Sequence, residues 1–184
     1  VERKRGSGTY VTQPRVPRAL GSPLSFSEST RLRGMEPSSR VLRAGPTALQ
    51  PDDAEALGIE ITSTAIVLER LRLADGIPMA VEHAVIPVGD ANILDEDLTT
   101  GSLHAAFERN GRIPTPAQAQ VGARMATKRE RDLLELPSNA IVLSEVRTIF
   151  DQNGAPLDHT STHYAADRYA FTAVLYRGEE VDPA

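Results

Sequence analysis

A chain of 184 residues suits one compact domain with or without a tail, and can bury roughly two-thirds of its unfolded surface. A net charge of −5 argues against a broad nucleic-acid platform, the lack of cysteine excludes disulfides and thiolate metal sites, and no apolar run approaches the roughly 20 residues that span a bilayer. With 4% aromatic residues and no tryptophan, the core must rest on Leu, Val, Ile and Ala, in a chain read as soluble and cytoplasmic.

Residues 1–13 differ from the rest: a basic stretch at 2–5, then Gly6-Ser7-Gly8, then the β-prone Thr9-Tyr10-Val11. Residues 14–23 hold Pro14, Pro17 and Pro23 without an apolar period and read as an extended linker. The compact domain is placed at 24–180. Its first helix is capped by Ser25 or Ser27 and ended by Gly34, and a strand follows around Ser39 to Ala44. Pro51 opens a short helix that Gly58 closes. Residues 64–74 and 78–87 form a hairpin about Asp75-Gly76. A helix starts at Gly101-Ser102 and stops at Asn110-Gly111. A strand at 117–126 leads to another helix, where Thr127 and Glu130 make a capping box. A second hairpin turns at Asn153-Gly154, and a last strand runs from Tyr169 to Arg177. The two hairpins resemble each other as a weak internal repeat. Strand pairs with helices between them predict an α+β domain with a mainly antiparallel sheet.

The alternation of strand side chains puts Arg70 and Arg72 on one face. A two-residue turn would put Glu82 on the opposite face. A three-residue loop, Ala74-Asp75-Gly76, pairs 72 with 78 and 70 with 80 and puts all three charges together; this second arrangement is the one expected. Asp158, Thr160, Thr162 and Tyr164 share a face of the second hairpin. Two guanidiniums beside a carboxylate are explained either by mutual ion pairing at a sheet edge or by a pocket for an anionic small molecule. Ser102, at a helix start, adds weight to the pocket; alone it is a plain N-cap. His83, His104, His159 and His163 form no metal-ligand pattern, and His159 and His163 face away from Asp158 by parity. No phosphate loop, nucleophile elbow or dinucleotide fingerprint appears, so no catalytic residue, metal or cofactor is assigned.

These segments resemble the effector-binding domain, called UTRA, of GntR-type transcription regulators of the HutC subfamily. The resemblance lies in residues 5–11, "LSFSES" at 24–29, 68–82, "TGSLHAAF" at 100–107 and 146–171 with Asp167-Arg168-Tyr169. It implies a chorismate-lyase-like fold, a homodimer, a small-molecule effector, repression as the commoner mode and operator DNA bound through a preceding winged-helix domain. Residues 1–13 would be the last wing strand of that domain. In members that bind sugar phosphates, the matching positions hold phosphate with Phe26 (by its backbone), Ser27, Arg70, Arg72 and Ser102, and face the sugar with Glu82, Asp158 and Tyr164. Ser27 stands where threonine is common, and Asp158 where glutamate is common. A phosphosugar or small organic acid is thus the expected effector. The alternative is a lyase-like enzyme, since chorismate lyase has a related fold.

Overall fold

The computed structural model describes residues 2–4, 8–10, 15–19, 24–115 and 119–173. Two short strands, β1 (Glu2–Lys4) and β2 (Gly8–Tyr10), pair antiparallel. Strand β3 (Val16–Ala19) follows, then helix α1 (Phe26–Arg31), β4 (Pro37–Ala48), α2 (Pro51–Leu57), β5 (Thr64–Ala74) and β6 (Ile77–Pro87). A 3-10 helix over Val88–Asp95 leads to α3 (Leu103–Arg109), β7 (Ala119–Met125), α4 (Lys128–Leu134), β8 (Ile141–Phe150), β9 (Pro156–Ala165) and β10 (Tyr169–Thr172). The carboxyl-terminal part of the expected last strand lies outside the described residues, as does Val11.

Six strands form one antiparallel sheet in the order β4-β5-β6-β9-β8-β7. That order is symmetric about the β6–β9 pair, so α1-β4-α2-β5-β6 and α3-β7-α4-β8-β9 are two copies of one unit. The weak repeat between the hairpins thus extends to the order of the elements around them. Helices α1 and α3 cover one face. There Leu68, Ala84, Ile86, Leu103, Phe107 and Leu157 form one apolar cluster, and Phe26, Met79, Tyr164 and Tyr169 another. Helices α2 and α4 cover the opposite face over Ala65, Val85, Val81 and Val142.

Local chemistry fixes the elements that carry the site. Ser25, not Ser27, caps α1; its hydroxyl accepts from the Glu28 amide while the Glu28 carboxylate accepts from the Ser25 amide, a complete capping box. The Thr127–Glu130 box caps α4 as expected. Strand β4 runs beyond Ala44 to Ala48. As an edge strand it tolerates Pro46, with Gly45 at φ 142 letting the backbone continue its pairing.

The first hairpin differs from expectation. Its turn has two residues, Asp75 (φ 50) and Gly76 (φ 76), both left-handed, so Ala74 pairs with Ile77. A bulge then admits Met79 as an extra residue, and beyond it Arg72 pairs with Ala80 and Arg70 with Glu82. The expected pairings 72 with 78 and 70 with 80 do not occur. The three charges still share a face, because the bulge supplies the one-residue shift that the three-residue loop was expected to supply. The same device recurs at Leu157 in the second hairpin, where Phe150 pairs with Pro156 and Ile149 with Asp158.

The Pro-rich stretch read as linker contains β3, which pairs in parallel with β10 and buries Arg18.

Candidate functional site

The polar side chains of β5, β6, β9 and β8 lie beneath α1 and α3, on the sheet's otherwise apolar face. A cavity there is lined by Ser25, Phe26, Arg70, Arg72, Glu82, Leu103, His104, Arg147, Asp158 and Thr160. Its free volume is ≈ 10 Å³, about what one water needs.

Arg70 and Arg72 are each 2% exposed. Arg70 donates through Nε to Glu82 Oε1 at 2.8 Å, directly across the ladder, and Arg72 Nη1 lies 3.7 Å from the same oxygen. Arg72 Nη2 donates to Ser27 Oγ at 2.8 Å, and the Arg72 guanidinium sits 4.7 Å over the Phe26 ring, a cation–π contact. Strand β5 is not a sheet edge, so the ion pairing is an interior one. It also leaves donors over: Arg70 Nη1, Arg72 Nε and Nη1, and Arg147 Nε are buried without hydrogen-bond partners.

The electrostatics follow from that excess. Burial, then the neighbouring Arg70 charge, lowers Arg72 to about 9. Burial alone would raise the Glu82 carboxyl, but Arg70 and Arg72 overcome it and hold the group at about 2. For Asp158, 1% exposed, the Arg147 and Arg70 charges oppose burial without overcoming it. Burial raises it to about 6 although Thr160 Oγ1 donates to its Oδ1, and its Oδ2 is without a partner. Burial, then the Arg147 charge, lowers His104 to about 4, so this lining imidazole is neutral at pH 7.

Of the eight residues singled out in the sequence, Phe26, Arg70, Arg72, Glu82 and Asp158 line the cavity. Ser27 is buried behind it and holds Arg72. Ser102 caps α3, its Oγ accepting from the Ala105 amide, next to the lining residues Leu103 and His104. Tyr164 points from the same face of β9 but is engaged elsewhere. Its hydroxyl donates to Glu145 Oε2 at 2.9 Å and accepts from Arg18 Nη1 at 3.1 Å, and its ring stacks on Tyr169 at 4.1 Å. Arg18 also bonds Glu145 Oε2 at 2.9 Å and the Leu24 carbonyl at 3.1 Å, so β3 is fastened to the sheet beside the cavity. His159 and His163 lie on the opposite face, against Thr148 and Glu130 respectively.

Sequence reading missed Arg147, His104 and Arg18. The hairpin repeat carries a signal for Arg147. Counted from Pro78 and Pro156, Glu82 matches Thr160, and the residues facing them across the ladders are Arg70 and Arg147. Nothing in the sequence singles out Arg18, whose partners Glu145 and Tyr164 are 127 and 146 positions away.

The model of the UTRA domain family matches residues 32–170. The HTH-type transcriptional repressor NagR of Bacillus subtilis is 34% identical over 176 residues, covering 95% of this chain and 72% of that protein. The HTH-type transcriptional regulator GgaR of Escherichia coli is 26% identical over 172 residues, 93% of this chain and 68% of that protein. Among solved structures, PhnF from Mycobacterium smegmatis superposes with a TM-score of 0.83 at 22% identity, over 96% of this chain and 78% of that one. Its effector domain alone gives 0.81 at 20% identity, over 88% of this chain and 99% of that one. The six-stranded antiparallel sheet with its inserted helices is thus the chorismate-lyase-like fold of these effector domains. The chain belongs to the UTRA family and is a ligand-binding domain of GntR-family, HutC-type transcriptional regulators.

Proposed function

We propose that this domain senses an anionic metabolite, with a sugar phosphate as the best-fitting class, and passes its binding to operator DNA through a preceding DNA-binding domain in a homodimer. The observation that carries the reading is a set of buried guanidinium N–H groups without partners on Arg70, Arg72 and Arg147, three residues that line one cavity. Unpaired buried donors are costly, and a phosphate or carboxylate answers several at once. NagR and GgaR are named as transcriptional regulators, which favours sensing over the lyase-like alternative.

In this reading Arg70 and Arg72 grip the phosphate beside Phe26, with Ser27 and Ser102 fixing the arginine and the α3 start. Glu82 and Asp158 face the rest of the ligand. A cavity of ≈ 10 Å³ cannot hold a metabolite, so α1 and α3 must shift off the sheet as the effector enters. That shift lies next to the Arg18–Glu145–Tyr164 cluster, which holds β3 and, with it, the chain leading to residues 1–13. Effector and operator affinities then change each other by the same factor, because coupling is reciprocal.

Arg72→Met keeps the apolar stem of the side chain but removes the guanidinium and its charge. It is expected to weaken binding of a hexose 6-phosphate by about 30-fold, the equivalent of losing about 2 kcal/mol of charge-assisted hydrogen bonding. Thermal denaturation should show the variant folded without ligand. Calorimetric titration checks the affinity, and an unchanged dissociation constant would overturn the assignment of Arg72.

A further inference from the structure

The symmetric arrangement of the two hairpins also sets a second arginine against the cavity, and the two halves differ in one telling respect. Arg70 on β5 faces Glu82 on β6; at the equivalent register Arg147 on β8 faces Thr160 on β9. One guanidinium is answered by a carboxylate; the other faces a threonine whose hydroxyl donates to Asp158 instead. The Nε of Arg147 is buried and without a hydrogen-bond partner. Strands β6 and β9 lie between β5 and β8, and Arg147 is two residues along from the row of Arg70, so the two backbones are about 16 Å apart and flank the cavity from opposite sides.

The acids lining the cavity are Glu82 and Asp158. Glu82 is engaged by Arg70 and Arg72. Asp158 lies on β9, next to Arg147's strand, with one oxygen accepting from Thr160 and the other unpartnered. Held at about 6, Asp158 is mostly ionised at pH 7, and the Arg147 charge opposes the burial that raises it. The β8–β9 side of the cavity therefore offers a guanidinium, a hydroxyl and a carboxylate, and the lining as a whole sets three guanidiniums against two carboxylates.

We propose that Arg147 sets the specificity of the cavity: it accepts an oxygen substituent (a hydroxyl, an acylamide carbonyl or a carboxylate) at the end of the effector remote from its phosphate, and excludes an ammonium group there. This rests on the anion-sensing reading above and narrows it to phosphorylated metabolites whose other end is neutral or acidic. Like charges brought together in a desolvated site are strongly disfavoured, whereas a guanidinium donates to neutral oxygens and more strongly to anionic ones.

Calorimetry of the 184-residue chain with inorganic phosphate, glucose 6-phosphate, 6-phosphogluconate and glucosamine 6-phosphate tests it. Glucosamine 6-phosphate, which carries an ammonium where glucose 6-phosphate carries a hydroxyl, is expected to bind at least about tenfold more weakly than glucose 6-phosphate. In Arg147→Gln that ratio should fall to about threefold or less, and in Arg147→Lys, which keeps the charge, it should return. Equal wild-type affinities for the amine and the hydroxyl, or a ratio that Arg147→Gln leaves unchanged, would overturn the role of Arg147. If neither inorganic phosphate nor any of the three sugars binds the wild-type chain, the phosphate reading of Arg70 and Arg72 itself fails.

Discussion

Replacing Glu82 with alanine is expected to lower the stability of the ligand-free domain by about 3–5 kcal/mol at pH 7, the usual cost of stripping one partner from a buried ion pair. Arg70 and Arg72 would then lie side by side beneath α1 with no carboxylate between them. Titration of Glu82 gives a matching figure. Its folded value of about 2, against an ordinary 4.5, corresponds to about 3 kcal/mol, fully present above pH 4.5 and lost as pH falls towards 2. The gap between wild type and Glu82→Ala, measured by urea denaturation, should therefore be wide at pH 7 and close between pH 4.5 and 2. Added phosphate should recover much of the loss in the variant, since an anion can take the place of the missing carboxylate. A deficit under about 1 kcal/mol at pH 7 would mean that the guanidiniums do not depend on Glu82.

The opposite sign is expected at Asp158. Its folded value of about 6, raised from 3.8 by burial, means that the folded chain holds a proton that the unfolded chain has released between those pH values. Stability thus falls as pH rises through that window, and the full deficit, about 3 kcal/mol, is present above pH 6. Asp158→Asn keeps an oxygen for Thr160 and removes the charge. It should stabilise the ligand-free domain by about 2–3 kcal/mol at pH 7.5 and have little effect below pH 4. Parallel denaturation curves at the two pH values check this; an equal effect at both would show that the buried charge is not the cause. A residue that destabilises its own fold in this way is the pattern expected of a binding site kept at the expense of stability.

The parts of the fold that were legible depend on short-range chemistry. The capping box at Thr127, the glycine after α2, the two hairpins and the strand faces all follow from residues within a few positions of each other. The turn at Asp75-Gly76 shows where such reading stops. It placed Arg70, Arg72 and Glu82 on one face, yet the responsible device is a bulge at Met79, which no residue type announces. The 3-10 helix over Val88–Asp95 has no apolar period to reveal it. Arg18 lies among prolines in a stretch that reads as linker, and its burial depends on Glu145 and Tyr164, far along the chain.

At the site, the two arginines of β5 were legible because paired charges in a strand that needs burial are conspicuous. Arg147 was legible only through the hairpin repeat, and His104 not at all, since a histidine on a short amphipathic helix says nothing of which face it takes.

The most direct measurement is anomalous diffraction from crystals of this chain soaked in tungstate, a heavy stand-in for phosphate. A tungsten peak should appear beneath α1 and α3, with oxygens about 2.7–3.0 Å from the Arg70 and Arg72 guanidiniums. A cavity without tungsten in crystals that bind it elsewhere on the domain would contradict the anion site.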